Sequence, residues 1–270
     1  MKFPVAFLAL FLLFGCQPIN KILKSPDKNY KLRMAEQYYA KKKYNQAQLI
    51  YEDIMPAFRG QPEFEDIFYK YAYTAYYQKD YLNAENLFKS YLEVYPNGPR
   101  SEEVDYMRAY TYYKQSPKAA LDQSATMKAI GMLQTFINTH PGSERNKEAN
   151  GIIDELRQKL ETKDMRAAQL YFDLGQFRAA AVAFNTMLNQ YADTERADLY
   201  KLMAVKSYFR FAELSVEEKK AERFEKVIEE ANDFMDRFPE SPLAKEVQEF
   251  VTQSKNNLKI YTNEPAKTTT

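Results

Sequence analysis

The sequence has no tryptophan, one cysteine, one histidine and only 7 glycines in 270 residues. Each shortage removes a class of protein. A lone cysteine cannot close an intrachain disulfide or supply the paired thiolates of a structural zinc site. The single histidine, His140 in Thr139-His140-Pro141-Gly142, leaves no His-Glu-x-x-His pair and reads as a solvated residue at a helix end. So few glycines leave no glycine-rich phosphate loop, and they favour helices over folds built on tight turns. Charge of neither sign predominates. Lys+Arg number 38 and Asp+Glu 37, so neither nucleic acid nor an anionic membrane surface is expected from the overall balance. Carboxylate pairs such as Glu102-Glu103 and Glu229-Glu230 sit among lysines and arginines and read as solvated helix faces. The run Lys41-Lys42-Lys43 reads likewise as a solvated turn. No catalytic residue, metal ligand or cofactor site is predicted, and the chain is not expected to be an enzyme.

Long apolar runs are also missing, with one exception at the start. Lys2 precedes Phe3–Phe14, which is apolar apart from Pro4. At about 1.5 Å per residue that run is too short to span a bilayer core, but it suits the hydrophobic region of a signal peptide. Leu13-Phe14-Gly15-Cys16 follows and resembles the bacterial lipobox, in which the cysteine thiol accepts a diacylglyceryl group. Residues 1–15 are therefore expected to be removed and Cys16 to be lipidated. Gln17 follows the cysteine, with no acidic residue to signal retention at the inner membrane, so anchoring at the outer membrane is expected. Residues 16–28 read as a tether, with Pro18 and Pro26 breaking any helix.

What the chain has in abundance is a repeat. Tyr81 … Ala84 … Phe88 … Tyr91 … Tyr95-Pro96 and Phe177 … Ala180 … Phe184 … Met187 … Tyr191 share one spacing. Ala129 … Leu133 … Phe136 … Pro141 and Val227 … Ala231 … Phe234 … Pro239 keep it, and Tyr44 … Ala47 … Tyr51 … Ile54 begins the series. These offsets describe the second helix of a tetratricopeptide hairpin, where a small residue admits close helix contact and proline ends the helix. Ala35, Ala72 and Ala168 mark the first helices, each twelve residues earlier. Repeats three and five are stretched: Ala109 to Ala129 spans twenty residues and Ala204 to Val227 twenty-three. Ser116-Pro117 and Glu217–Arg223 are expected to form the lengthened hairpin loops. Asn146–Met165 reads as one long helix. The predicted fold is all-α, a superhelical stack of five tetratricopeptide-type hairpins. Residues 29–145 carry repeats 1–3, residues 146–258 the linking helix and repeats 4–5, and residues 259–270 a polar disordered tail. Such hairpins cannot bury their apolar faces alone, so stacked neighbours leave a shared surface for binding.

Tyrosine, with 22 copies, is the most informative residue type. In this hairpin the first-helix positions three before, one after and four after the marker alanine face the binding groove. Repeat one places Tyr39 there, repeat two Tyr69, Tyr73 and Tyr76, and repeat three Tyr106, Tyr110 and Tyr113. Repeats four and five supply a mixed set, Met165, Gln169 and Phe172, then Lys201, Val205 and Tyr208. Tyrosine combines apolar area with a hydroxyl at low entropic cost, which suits peptide binding. If longer helices cover the rings, the same positions are core.

The junction Tyr95-Pro96-Asn97-Gly98-Pro99 … Glu103-Val104-Asp105-Tyr106-Met107-Arg108-Ala109 is more specific than the repeat. So is Leu121-Asp122-Gln123-Ser124 in the stretched third repeat, with Glu217-Glu218-Lys219-Lys220 and Phe238-Pro239-Glu240-Ser241-Pro242 in the fifth. With the lipobox, these make the chain resemble the BamD lipoproteins of the outer-membrane β-barrel assembly machine, from about Cys16 to Asn256. The resemblance implies a periplasmic scaffold, anchored in the outer membrane through its lipid. It would bind the barrel-forming BamA subunit through repeats four and five, and unfolded outer-membrane protein precursors through its N-terminal half. Asp105 and Arg108 depart from the generic repeat, which is apolar at those positions; either they pair with each other at i,i+3 or the repeat register is shifted there. Two other readings stay open: a tetratricopeptide adaptor in cell-wall synthesis or division, and a glycan-binding lipoprotein. The lack of tryptophan weighs against the second.

Overall fold

Small residues and left-handed turns set the local structure. The computed structural model describes residues 19–263, which are helical apart from their connections, with no strand among them. A short helix α1 (Ile19–Leu23) precedes α2 (Lys28–Ala40) and α3 (Tyr44–Phe58). Then come α4 (Phe64–Tyr77), α5 (Tyr81–Val94), α6 (Ser101–Gln115), α7 (Ser124–Thr139) and the long α8 (Asn146–Asp173). The chain continues through α9 (Phe177–Gln190), α10 (Ala197–Glu213), α11 (Glu217–Arg237) and α12 (Ala244–Asn263). Successive pairs from α2/α3 to α10/α11 are the five tetratricopeptide-type hairpins. The described residues divide into two compact units. Unit 1 runs up to Pro117 and from Asp122 to Leu156, and unit 2 comprises Lys118–Leu121 and the chain from Arg157 onward. Helix α8 contributes its first part to one and its second part to the other.

The hairpin turns of repeats one, two and four are built alike. Lys42, Lys79 and Gly175, each five residues before the second-helix alanine, have φ of +56°, +63° and +73°. One residue later, the N–H of Lys43, Asp80 and Gln176 reaches back to the carbonyl of Tyr38, Ala75 and Tyr171. These are the bonds of a Schellman cap, which satisfies the last carbonyls of the first helix and reverses the chain. Only Gly175 adopts the left-handed conformation without steric cost; at the two lysines it costs about 1–2 kcal/mol each. Of the helices that follow these turns, α5 has a side-chain cap, Asp80 accepting the N–H of Asn83; Asp27 caps α2 likewise through Asn29 and Tyr30.

Helix pairs meet at small residues. Ala35, Ala72, Ala109, Ala168 and Ala204 on the first helices are fully buried, as are Ala47, Ala84, Ala129, Ala180 and Val227 on the second. One turn further on, Tyr51, Phe88, Leu133, Phe184 and Ala231 are also buried, followed by Ile54, Tyr91, Phe136, Met187 and Phe234. The register read from the sequence is the register of the structure. Turns between repeats are latched by a recurring bond. Ser143 donates to Glu102, Thr194 to Glu161 and Ser241 to Asp198, tying the end of each of these repeats to its own first helix.

Four expectations need correction. The tether is not free of helix: α1 forms, and Ile22 is fully buried in the core of unit 1 against α2 and α3. Proline at either side bounds the helix but does not prevent one. The charged stretch Glu217–Arg223 is the first part of α11, not a loop, because its charges fall on an exposed face while Phe224 begins the buried one. Helix α12 runs through residues 259–263, where a tail was expected; Leu258 and Tyr261 pack on the core of the last repeat. Asp105 and Arg108 do not pair with each other. Arg108 Nε lies 2.9 Å from Glu85 on α5, and Asp105 lies 3.3 Å from His140 Nε2 after α7. Each therefore joins α6 to a neighbouring element rather than capping its own surface. His140 also lies against the Phe136 ring, so it is a packing residue and not only a solvated one.

Replacing Ala84 by leucine inserts a branched side chain where helices touch and should cost about 1–3 kcal/mol. Because hairpins stabilise their neighbours, the thermal midpoint should fall and hydrogen exchange should accelerate in the first and third hairpins too. An unchanged midpoint would contradict the repeat register.

Candidate functional site

Unit 1 carries a continuous line of tyrosines across its first helices. Tyr39 on α2 meets Tyr77 on α4 at 6.3 Å between ring centroids, and Tyr44 stacks on Tyr77 at 4.5 Å. Tyr77 touches Tyr73 and Tyr76, and Tyr73 lies 4.6 Å from Tyr69. Tyr76 then reaches Tyr110 on α6 at 6.4 Å, and Tyr110 contacts Tyr106 and Tyr113. The seven tyrosines picked out by spacing therefore belong to one aromatic array. They are not equivalent within it. Tyr73 and Tyr106 keep only 6% and 2% exposure and serve as its floor, whereas Tyr39, Tyr69, Tyr76, Tyr110 and Tyr113 are half-buried.

Hydrogen bonds orient the floor. The hydroxyls of Tyr69 and Tyr73 both donate to Glu103 Oε1, at 2.9 and 2.6 Å, and Tyr113 donates to Glu155 at 2.8 Å. Glu103 is thus a structural partner rather than part of a solvated pair. The Arg100 guanidinium lies 4.4 Å from the Tyr69 ring centroid and holds Asp66 at 2.8 Å; Lys70 bridges Asp66 and Glu36 at 2.7 and 2.6 Å. This chain of ion pairs links the first three repeats beside the rings. Burial raises the Asp66 carboxyl, but its bonds to Lys70 and Arg100 outweigh that and hold it below the usual range. Burial pushes Tyr76 up to about 12, with Tyr110 and Tyr81 adding to it. For Tyr113 the bond to Glu155 and then burial do the same, again to about 12. Burial drives Tyr39, Tyr73 and Tyr106 higher still. The array is a wide surface of aromatic rings, with Lys114 4.9 Å from the Tyr110 ring centroid and Arg145 5.1 Å from that of Tyr106.

Spacing missed Tyr44, Tyr77 and Tyr81. Tyr77, at 44% exposure the most open of the array, lies one residue beyond the last groove offset. Tyr44 and Tyr81 each lie three residues before a second-helix alanine, a position the repeat pattern already showed to be aromatic. Its role was visible only once the helices were in place.

Unit 2 fills the same offsets differently. Lys201 and Val205 are buried, and Val205 and Tyr208 share a core with Val247 and Val251 of α12, which covers this end of the repeat series. The Lys201 ammonium sits 2.6 Å from Glu230 and 2.5 Å from Asp233; Glu230 also takes Lys226 at 2.9 Å and Asn185 at 3.1 Å. Burial opposes ionisation of Glu230, but the hydrogen bonds from Lys201, Lys226 and Asn185 prevail and its pKa is lowered. These groups lock α9, α10 and α11 together and are not available to a ligand. Met165, Gln169 and Phe172 are half-buried, with Phe172 against Phe177 at 5.1 Å.

What unit 2 offers instead lies on the outside of its fourth hairpin. A cleft of about 690 Å³ is lined by Tyr171, Phe177, Arg178, Ala179, Val182, Ala183 and Phe211. Around it Leu170, Leu174 and Val182 are 56%, 63% and 53% exposed. From Ala179 to Ala192 the chain has no charged residue, although 28% of the whole is charged. A helix face that is both exposed and uncharged is the mark of a docking surface. Arginines frame it: Arg210 lies 5.6 Å from the Phe177 ring centroid and Arg223 4.0 Å from that of Phe211. The cleft was not found by spacing, because small residues at second-helix positions read as packing residues.

Among the described residues no three histidine, cysteine or carboxylate side chains come together in a way that could hold a metal ion. No described helix is long and apolar enough to cross a membrane. Cys16 lies outside the described residues.

Comparison with known proteins places the chain in a family. Residues 25–222, well over half of it, match the YfiO family, described as an outer membrane lipoprotein. No curated protein matches the sequence. Among solved structures, the complex of the TPR2AB domain of yeast Sti1 with pHSP90 is similar at 13% identity and a TM-score of 0.41, covering 84% of this chain and 98% of that one. With five stacked hairpins and a family match across four of them, the chain belongs to the YfiO family of outer membrane lipoproteins.

Proposed function

We propose that this lipoprotein is a BamD-type scaffold of the β-barrel assembly machine, anchored through an acylated Cys16 and facing the periplasm. Its two units hold different partners. Unfolded barrel precursors bind along the tyrosine array of unit 1, and the barrel-forming BamA subunit docks on the α9 cleft of unit 2. The observation that carries the reading is the array itself, a line of neutral, hydroxyl-bearing rings running without interruption over three successive repeats.

The chemistry of the ligand supports it. A barrel strand alternates lipid-facing apolar and aromatic side chains with polar ones. In extended form it offers one apolar face and a row of unpaired backbone groups. Half-buried tyrosines meet both needs, with ring faces for the side chains and hydroxyls for the backbone. Neutral rings also fit a ligand defined by pattern rather than by sequence, since apolar faces accept many side chains. The α9 cleft suits a folded partner instead. It is shallow, lined by aromatic and aliphatic side chains and framed by arginines, so it fits an apolar patch with acidic residues at its rim.

Tests should use the open rings, because Tyr73 is floor and its loss would disturb packing. Tyr76→Ala with Tyr110→Ala should leave helicity unchanged and weaken binding of an extended barrel-strand peptide by at least about 30-fold, as hot spots of about 2 kcal/mol or more imply. Titration calorimetry or polarisation reads the result; unchanged peptide affinity would place the precursor site elsewhere.

The second surface is tested separately. Val182→Glu sets a carboxylate in the cleft at an exposed position, where stability should move by less than about 0.5 kcal/mol. Capture of the soluble part of the barrel subunit should fall at least tenfold, since the charge would be buried without a partner. Undiminished capture would contradict the cleft assignment.

A further inference from the structure

Helix α1 is held by packing on one side and by a short chain on the other. Ile22 is fully buried within the core of unit 1, and Ile19 and Leu23 pack against the same cluster. Contacts run from α1 to both α2 and α3. Only Gln17 and Pro18 separate Ile19 from Cys16. Three residue steps of fully extended chain reach about 10 Å. The headgroup layer on each side of a bilayer is itself about 5–7 Å thick. A docked helix tied that closely to an acylated cysteine cannot rise more than a few ångströms above the headgroups.

The residues at this end of unit 1 suit such a position. Lys21 on α1 and Lys24 just after it are exposed, and Arg59 is exposed where the chain leaves α3. Lys28 ties the start of α2 to that same place, with its ammonium 3.3 Å from the Ala57 carbonyl and 4.6 Å from the Phe58 ring centroid. Of the nearby carboxylates, Asp27 caps α2 and Asp53 is held by Lys31 at 2.6 Å. Glu52 and Glu63 in the adjoining segments are exposed, so the positive excess is small. Chain length therefore fixes the height of this end, and the cations choose which side faces down.

We propose that α1 is a spacer that lays the open end of the first hairpin on the phospholipid surface, with Lys21, Lys24 and Arg59 against headgroup phosphates. The inference rests on Cys16 being the acylated residue. It has a consequence for the tyrosine array. Tyr39 lies eleven residues along α2 from Lys28, a rise of about 17 Å. The array thus begins within about 20 Å of the headgroups, close enough to pass an extended chain to the membrane surface.

The test uses the acylated full chain in vesicles of phosphatidylethanolamine and phosphatidylglycerol that carry a headgroup nitroxide. With Cys16 acylated, an added cysteine is the only thiol to label. A fluorophore at Asn29→Cys, at the start of α2, should be quenched several-fold more strongly than one at Asn45→Cys, at the far end of the hairpin. Adding Ile22→Asp undocks α1 and lengthens the connection, so quenching at residue 29 should fall towards that at residue 45. The triple change Lys21→Gln, Lys24→Gln and Arg59→Gln, which touches no core residue, should reduce contact by about 5-fold per lost cation, and added salt should do the same. Equal quenching at residues 29 and 45 in protein that floats with the vesicles would overturn the spacer and leave the anchor standing. Protein that fails to float, with Cys16 unmodified by mass, would overturn the anchor and the spacer with it.

Discussion

Close approach of helices at residues too small to hold them apart is the constraint on which the rest depends. Nine alanines and Val227, two positions in each hairpin, are fully buried where helices cross. Because they allow close contact, the next aromatic or aliphatic residue on each second helix can fill the space between hairpins, and the hairpins stack. The left-handed turns at Lys42, Lys79 and Gly175 and the hydroxyl–carboxylate latches at Ser143, Thr194 and Ser241 then fix how each helix enters and leaves. None of these would position anything if the crossing points were bulky. A tyrosine array over three repeats needs the helices at regular spacing, and that spacing is set by alanine.

The same repeat positions serve different ends in the two units. Three residues before the second-helix alanine stands an aromatic in repeats one, two and four. Tyr44 and Tyr81 extend the array in unit 1, while Phe177 lines the cleft in unit 2. Four residues after the first-helix alanine, Tyr39, Tyr76, Tyr113 and Tyr208 are all half-buried, but Tyr208 packs on a core to which α12 contributes Val247 and Val251. A terminal repeat has no neighbour to cover it, and here a capping helix takes that place. In unit 2 the exposed apolar side chains lie instead around the α8–α9 turn, at Leu170, Leu174 and Val182.

The fold was legible because its signals are local and periodic. Alanine spacing, helix-ending prolines and the stretched third and fifth repeats mark the five hairpins in the sequence itself. Errors arose where a local rule met tertiary packing. Pro18 and Pro26 suggested a bare tether, but Ile22 finds a core to enter. Glu217–Arg223 looked like loop because it is charged, although a charged face is what the outside of a long helix requires. Asp105 and Arg108 stood at i,i+3 spacing yet each found a better-placed partner on another element. For the tyrosine array, offsets located seven rings but could not separate floor from rim, since that depends on which rings a neighbouring helix covers. The α9 cleft was invisible because exposure is not written in the sequence: Phe177, Ala179, Val182 and Ala183 stand on a second helix, where such residues read as packing.

The central claim is that one chain holds two partners on separate surfaces, and simultaneous occupancy tests it most directly. The full chain would be saturated with an extended barrel-strand peptide and then titrated calorimetrically with the soluble part of the barrel subunit. The account predicts a 1:1:1 complex in which the second affinity changes by less than about 5-fold, the lower bound of ordinary coupling between sites. Displacement of the peptide as the second partner binds, with a competitive rise in apparent Kd, would contradict it.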